Sequence, residues 1–172
     1  MSFVVESLVP IAQNIDGIRK RIAAAARRAG RNPGEIALMA VTKTVSPDRI
    51  VEAFAAGVRL FGENRVQEFA AKRAQLAPII ESGAEFHMIG HLQSNKAAKA
   101  TELFAAVDSV DSLALARKLN VAAENDKCIL PVLIEINPRV TMAYVGLSAA
   151  LNRNLATAVL AAHHREAVHA DA

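Results

Sequence analysis

One pattern recurs five times along the chain: a segment whose apolar residues have helical spacing, followed by a short apolar run. The runs are too short for most helices, and their apolar residues are continuous rather than alternating, which is typical of strands covered on both faces. Strands that alternate with helices in this way predict a parallel α/β fold. The predicted strands are residues 36–41, 58–61, 86–89, 105–110 and 129–136.

Helix boundaries agree with this alternation. Pro10 suits a first helical position and Gly30 a left-handed stop, so the two residues frame the first helix. Ser46 is a favourable N-cap for the second helix, which Gly57 ends. The predicted helices are residues 10–29, 46–57, 66–73, 96–103 and 113–123.

The alternation stops after Asn137. Residues 138–172 show no further clear strand, although apolar residues between Leu151 and Ala162 have nearly helical spacing. We therefore predict two parts, an α/β portion over residues 1–137 and a divergent, partly helical tail over residues 138–172.

Composition restricts the class of protein. Apolar residues make up 52% of the 172, which predicts a folded core, and with 4% aromatic residues and no Trp this core is expected to be aliphatic. The net charge of +3 comes without a basic stripe interleaved with aromatic residues, so nucleic acid is not an expected partner. No run approaches the ~20 apolar residues of a membrane span. The single Cys128 fits a reducing compartment, and we expect a cytoplasmic protein.

Polar residues or glycine follow each predicted strand. Because the carboxyl ends of parallel strands lie at one edge of a sheet, these residues are expected to meet where α/β folds place their sites. They are Thr42 and Lys43, residues 62–65 (GENR), Gly90 and His91, Asp108 and Ser109, and Glu135 with Asn137.

Lys43 has the most distinctive chemistry among them. It follows six apolar residues with only Thr42 between, so we expect its amino group to be partly desolvated, which favours the neutral amine. A neutral amine is what imine formation with an aldehyde requires. The alternative is a lysine that extends into solvent from a strand end, and position alone favours that alternative.

The other polar loops also have purely structural alternatives. Residues 62–65 offer an acid, an amide and a guanidinium, but Asn64 could simply cap the next helix. Residues 90–96 could present backbone N–H groups to an anion, or Ser94 or Asn95 could be an N-cap.

The histidines do not predict a metal site. His87, inside the third strand, fits a hydrogen-bonded core histidine. His163, His164 and His169 have no Cys or carboxylate nearby in sequence to complete a coordination geometry, so no metal is expected.

Several motifs at the strand ends together resemble a known family. They are AVTKT at residues 40–44, FGENRVQE at 61–68, FHMIGHLQSNK at 86–96, VDSVDS at 107–112 and VLIEIN at 132–137. The second and third motifs are long and specific. With the others, in order and with plausible spacing over about residues 11–137, they resemble the pyridoxal phosphate homeostasis proteins.

The resemblance implies a (β/α)8 barrel of the TIM-barrel type, related to the N-terminal barrel of alanine racemases and here incomplete, with about five strands. It implies that the cofactor pyridoxal 5′-phosphate (PLP) is held by Lys43 as a Schiff base and near its ring by Asn64. It further implies intracellular buffering or delivery of PLP without established turnover. The cofactor residues that it suggests are Lys43, Asn64, His91, Ser94, Asn95 and Asn137.

The sequence departs from the family after the fifth strand. Family members continue through three more strands, and loops after the seventh and eighth hold the cofactor phosphate; their Ser-Met-Gly-Met-Ser-like and Arg-Ile-Gly-like segments have no counterpart in residues 138–172. Our hypothesis is a truncation or frameshift, which an intact reading frame would contradict. An unpaired fifth strand would then allow self-association of a chain that is monomeric in the family.

Two other functions stay open. A PLP-dependent amino-acid racemase could use the same lysine, but it would need a second acid–base group on the opposite face of the cofactor. A non-functional fragment would keep the motifs without holding the cofactor.

Overall fold

The computed structural model describes residues 10–135, and the chain divides after Glu135 into two units, the first of which contains all the described residues. Five strands alternate with five α-helices there. The strands are β1 Met39–Val41, β2 Leu60–Glu63, β3 Glu85–Met88, β4 Ala106–Val110 and β5 Val132–Ile134. The helices are α1 Ile11–Arg28, α2 Pro47–Ala55, α3 Val66–Glu81, α4 Ala97–Leu103 and α5 Leu113–Asn125, with short 3-10 helices at Pro33–Glu35 and Ser94–Lys96.

The strands form one parallel sheet in the order β1-β2-β3-β4-β5. Consecutive strands that lie side by side and are connected by helices are the arrangement of a partial (β/α) barrel. The predicted fold class is therefore confirmed. The predicted boundary after residue 137 and the predicted helix at residues 151–162 lie outside the described residues.

Three predicted strands have a boundary that was wrong by two residues or more. The first begins at Met39 rather than Ile36, and the other two differences have identifiable reasons. The second strand begins at Leu60 rather than Val58, because the Val58 N–H is used to end α2 by donating to the Ala53 carbonyl at 3.1 Å. The fifth strand shortens to Val132–Ile134, where Pro131 has no N–H to donate and the pairing with β4 shifts in register.

The core between the sheet and the helices is partly aromatic. Four phenylalanines from four elements or their ends are at most 4% exposed and stack in a row: Phe61 on Phe86 (ring centroids 5.0 Å apart), Phe86 on Phe69 (4.6 Å) and Phe69 on Phe104 (4.8 Å). The core is mostly aliphatic, as predicted, but composition does not say that its few aromatic residues gather in one place.

The outer strands are less covered than the central ones. All three residues of β5 are exposed, and within residues 10–135 this strand pairs only with β4. Self-association through this edge stays a prediction. None of the helices in the described range has the length and apolarity that a membrane span requires.

Candidate functional site

The carboxyl ends of β1, β2 and β3 place three predicted site residues at one edge of the sheet. Val41 is paired with Gly62, and the Thr42 N–H continues the ladder by donating to the Gly62 carbonyl at 2.9 Å. Lys43 follows immediately. Asn64 comes directly after β2, and His91 lies three residues after the end of β3. The sequence therefore predicted the placement of these residues correctly.

Lys43 is exposed, so the predicted partial desolvation of its amino group was wrong. The reason is visible at the end of β1: Val41, the last residue of the strand and two positions before Lys43, is itself 52% exposed. The Lys43 ammonium forms no hydrogen bond or ion pair with any other residue from 10 to 135, which leaves it available to a ligand.

Lys43 lies in a tight turn over residues 42–45, which we call the lysine turn. The Val45 N–H donates to the Thr42 carbonyl at 3.1 Å and closes the turn. Thr44 has a φ of 61°, a left-handed conformation that is an outlier for a β-branched residue, and its hydroxyl donates to the Lys43 carbonyl at 2.6 Å. Lys43 therefore projects from a turn with a defined and strained backbone.

A buried polar cluster lies against this turn. Glu63, at the end of β2, is fully buried and accepts a hydrogen bond from the Thr42 hydroxyl at 2.6 Å. The Lys72 ammonium lies 2.8 Å from Glu63 Oε1, donates to the Thr42 carbonyl at 3.0 Å and lies 3.3 Å from Glu68 Oε1. Glu68 in turn accepts the Thr44 N–H.

Sequence reasoning missed Lys72, although a signal was present. Phe69, Lys72 and Leu76 are spaced by three and four residues, so Lys72 occupies a position on the apolar face of α3. An ionisable residue on such a face needs a buried partner, because burial of an unpaired charge is costly. That partner is Glu63, which the sequence showed only as part of a polar loop.

The pKa of Glu68 is below its ordinary value, first because its carboxylate accepts the Thr44 N–H, and further because Lys72 and Arg65 are nearby, while burial acts in the opposite direction. Since the pKa is depressed in the folded chain, the carboxylate contributes stability that is present above the unfolded-state pKa. This contribution is lost as the pH falls through the folded-state pKa.

We therefore expect the urea midpoint to fall on acidification through the range in which glutamates titrate, and to fall less in Glu68→Gln. Denaturation at a series of pH values, followed by circular dichroism, measures the difference between the two curves. Curves that stay parallel down to the lowest pH would show that Glu68 does not contribute.

Asn64 and His91 line one cavity of about 280 Å³ at the ends of β2 and β3. Arg65 and Lys96 also line it, and none of its lining residues in the described part is acidic. Gly90 allows the two loops to approach, because a Cβ at this position would lie 2.4 Å from the Asn64 carbonyl oxygen.

The capping alternatives proposed from the sequence were wrong. Arg65, not Asn64, occupies the N-cap of α3, and it makes no side-chain cap. The 3-10 helix Ser94–Lys96 and α4 have Gln93 and Lys96 at their N-caps, again without a side-chain hydrogen bond. Half-buried Asn64 thus has no capping role and can direct its amide to a ligand.

The remaining predicted residues are less closely associated. Ser94 is half-buried and Asn95 exposed, and neither is among the cavity's lining residues. His91 Nδ1 lies 3.1 Å from Asp111 Oδ2. Asn137 lies outside the described residues.

The core histidine was predicted correctly: His87 Nδ1 lies 2.9 Å from Asp108 Oδ2, and both side chains are largely buried. In the described range, no group of three or more His, Cys, Asp or Glu side chains could hold a metal ion. His163, His164 and His169 lie outside that range.

The donor set suits a ligand that is both an aldehyde and an anion. An unpaired primary amine stands at the sheet edge on Lys43. The cavity at the ends of β2 and β3, whose lining does not include Lys43, combines the Asn64 amide with two cationic side chains. An amine forms imines with aldehydes, and cationic side chains attract anions. The residues therefore fit PLP chemically at its aldehyde end.

Comparison with known proteins decides the family. The sequence matches the family described as alanine racemase, N-terminal domain, over residues 13–169. The chain belongs to this family. The match extends past residue 137, whereas the division of the chain at that residue stays a prediction.

Curated relatives and solved structures agree with this assignment. The chain is 42% identical to the pyridoxal phosphate homeostasis protein of Escherichia coli (strain K12) over 149 residues, 87% of this chain and 64% of that protein. It is 41% identical to the protein of the same name from Pseudomonas aeruginosa over 127 residues, 74% of this chain and 54% of the relative. The chain thus spans less than two thirds of the length of these relatives.

Two solved structures are similar as well. The crystal structure of an unknown protein from Bifidobacterium adolescentis has a TM-score of 0.71 and 38% identity, over 77% of this chain and 57% of that one. PipY of Synechococcus elongatus PCC7942, solved with PLP bound, has a TM-score of 0.60 and 38% identity, over 78% of this chain and 62% of its own. The resemblance found in the motifs is confirmed, while the roles of individual site residues stay predictions.

Proposed function

We propose that this chain binds PLP through a Schiff base on Lys43 and takes part in PLP homeostasis without turnover of its own. The observation that carries the proposal is the Lys43 amine, unpaired among residues 10–135, on a fixed turn at the carboxyl edge of the sheet. When bound, PLP would supply an aldehyde with which the Lys43 nitrogen would form an imine, with the loss of one water. The names of the curated relatives and the PLP-bound state of PipY support the choice of ligand.

The other proposed contacts are non-covalent. The half-buried Asn64 amide orients the cofactor ring, and His91 lines the same cavity. Ser94, Asn95 and Asn137 complete the proposed set on the strength of the motifs alone. An amino-acid racemase on the same lysine remains the alternative, and measurement of turnover of an amino-acid enantiomer separates the two functions.

The test is an absorbance titration of the purified full chain with PLP. We expect an imine band in the wild type and its loss in Lys43→Ala, while Lys118→Ala, a change at an exposed lysine of α5, keeps the band. Borohydride reduction followed by peptide mass spectrometry should place the cofactor on the peptide that contains Lys43. A band that survives in Lys43→Ala, or a label on another lysine, would refute the assignment.

A further inference from the structure

The ammonium of Lys72 is held in a fully defined position. Four oxygens surround it: Glu63 Oε1 at 2.8 Å, the Thr42 carbonyl at 3.0 Å, Glu68 Oε1 at 3.3 Å and the Val45 carbonyl at 3.4 Å. An ammonium has three N–H donors, so this environment saturates it. The Lys72 side chain is only 9% exposed, which removes water as a competing partner.

The contacts of this cluster fall on the backbone on both sides of Lys43. Lys72 donates to the carbonyls of Thr42 and Val45, which are the first and last residues of the lysine turn. Glu68, which Lys72 contacts, accepts the N–H of Thr44 between them. Three of the four residues of the turn are therefore fixed through their backbones, and the fourth is Lys43.

The conformation of Thr44 shows that the turn needs such restraint. A β-branched residue with a φ of 61° has a free-energy cost that persists only where the surrounding structure over-determines it. The three contacts that Lys72 and Glu68 of α3 make with the backbone of the turn provide this restraint. Without them, the turn would relax toward more favourable backbone angles and the direction of the Lys43 side chain would change.

The cluster is better explained by the geometry that it gives to the lysine turn than by a contribution to the stability of the fold. Burying Glu63 and Lys72 together has a desolvation cost that offsets much of their attraction. In addition, Glu63 Oε2 is buried with no hydrogen-bond partner among the described residues. A hydrophobic pair would fill the same space without either penalty, but it could not hold two carbonyls of the turn.

We infer that Lys72 is a positioning residue for Lys43: together with Glu63 and Glu68, it fixes the lysine turn from beneath, so that the Lys43 amine meets the aldehyde in one orientation. The part of this inference that concerns PLP rests on the proposed function. The restraint of the turn does not, and it can be measured without any ligand.

The test compares three variants of the full chain with the wild type. Lys72→Met removes the ammonium at similar length, and the double variant Glu63→Gln with Lys72→Met also removes the charge that would otherwise be left buried. Glu68→Ala removes the acceptor of the Thr44 N–H and the contact with Lys72, at a position whose side chain is 28% exposed. Lys99→Met is the matched control, because the ion pair of Lys99 with Glu102 is exposed.

The first readout is amide hydrogen exchange at Thr44 and Val45 by NMR, without PLP. We expect faster exchange at Thr44 in all three variants and at Val45 in those that lack Lys72, with no change in Lys99→Met. The second readout is the dissociation constant for PLP, which should rise about 10-fold to 100-fold, as when a reactive group is displaced by about 1 Å.

Each outcome is decisive. Wild-type exchange rates at Thr44 in the folded variants would overturn the inference, and so would faster exchange with an unchanged dissociation constant. If the Lys72 variants do not fold, Glu68→Ala alone decides by the same two readouts. If the wild type forms no imine at Lys43, the proposed function fails, and the exchange rates still decide whether Lys72 fixes the turn.

Discussion

Replacing Phe69 by alanine is expected to lower the free energy of unfolding by about 4 kcal/mol, in the range found for buried aromatic residues. Phe69 is fully buried and stacks with Phe86 on one side and Phe104 on the other. Truncation removes both ring contacts and leaves a cavity that the neighbouring rings can fill only partly. Urea denaturation followed by circular dichroism measures the change.

The matched control is Phe54→Ala, the same change at a half-buried site. The Phe54 ring lies 4.1 Å from the guanidinium carbon of Arg59, and this cation–π contact at a partly exposed position is worth only about 0.5–1 kcal/mol. We expect a clearly smaller loss than at Phe69. Equal losses at the two positions would contradict the assignment of the stacked row as the centre of the core.

The effect at Phe69 should reach the site as well. Phe69 lies on α3 three residues before Lys72. Its packing against the sheet therefore positions the Lys72 ammonium relative to the lysine turn. A folded Phe69→Ala chain is therefore expected to exchange the Thr44 amide faster than the wild type. The core and the site share this helix face.

The fold could be predicted because its signal is local. Continuous apolar runs between helical segments identify parallel strands wherever they occur, and all five are present in the sheet. The boundaries were less certain because they depend on competition for single N–H groups. Val58 shows this: its N–H ends α2, and the strand begins two residues later.

The sequence predicted where in the fold the candidate site lies, but not what surrounds its side chains. Strand ends identify the edge at which Lys43 lies, since this follows from parallel topology alone. The exposure of Lys43 depends on what covers the face of β1, and no sequence pattern near residue 43 reports that. The cluster around Lys72 forms because α3 approaches the end of β1. This contact is non-local, since Lys72 and Thr42 are 30 residues apart in the sequence.

Gly90 connects fold and site, and Gly90→Ala is expected to lower the free energy of unfolding by about 3 kcal/mol. The new Cβ would lie 2.4 Å from the carbonyl oxygen and 2.7 Å from the Cα of Asn64, both backbone atoms that cannot rotate away. The loops after β2 and β3 must therefore separate. Because they carry Asn64 and His91, PLP binding should also weaken, which the absorbance titration measures alongside urea denaturation.

Gly17→Ala is the control with the opposite sign. Gly17 lies within α1, and a Cβ there would meet no atom within 4 Å, so alanine should raise the free energy of unfolding by about 0.5–1 kcal/mol through its higher helix propensity. PLP binding should not change in this variant. If Gly90→Ala were as stable as the wild type, the two loops would be free to move apart, and Asn64 would not be held at the cavity by its contact with Gly90. If Gly90→Ala were instead less stable but bound PLP as tightly as the wild type, Asn64 would not contact the cofactor. Lys43 would then be the principal contact.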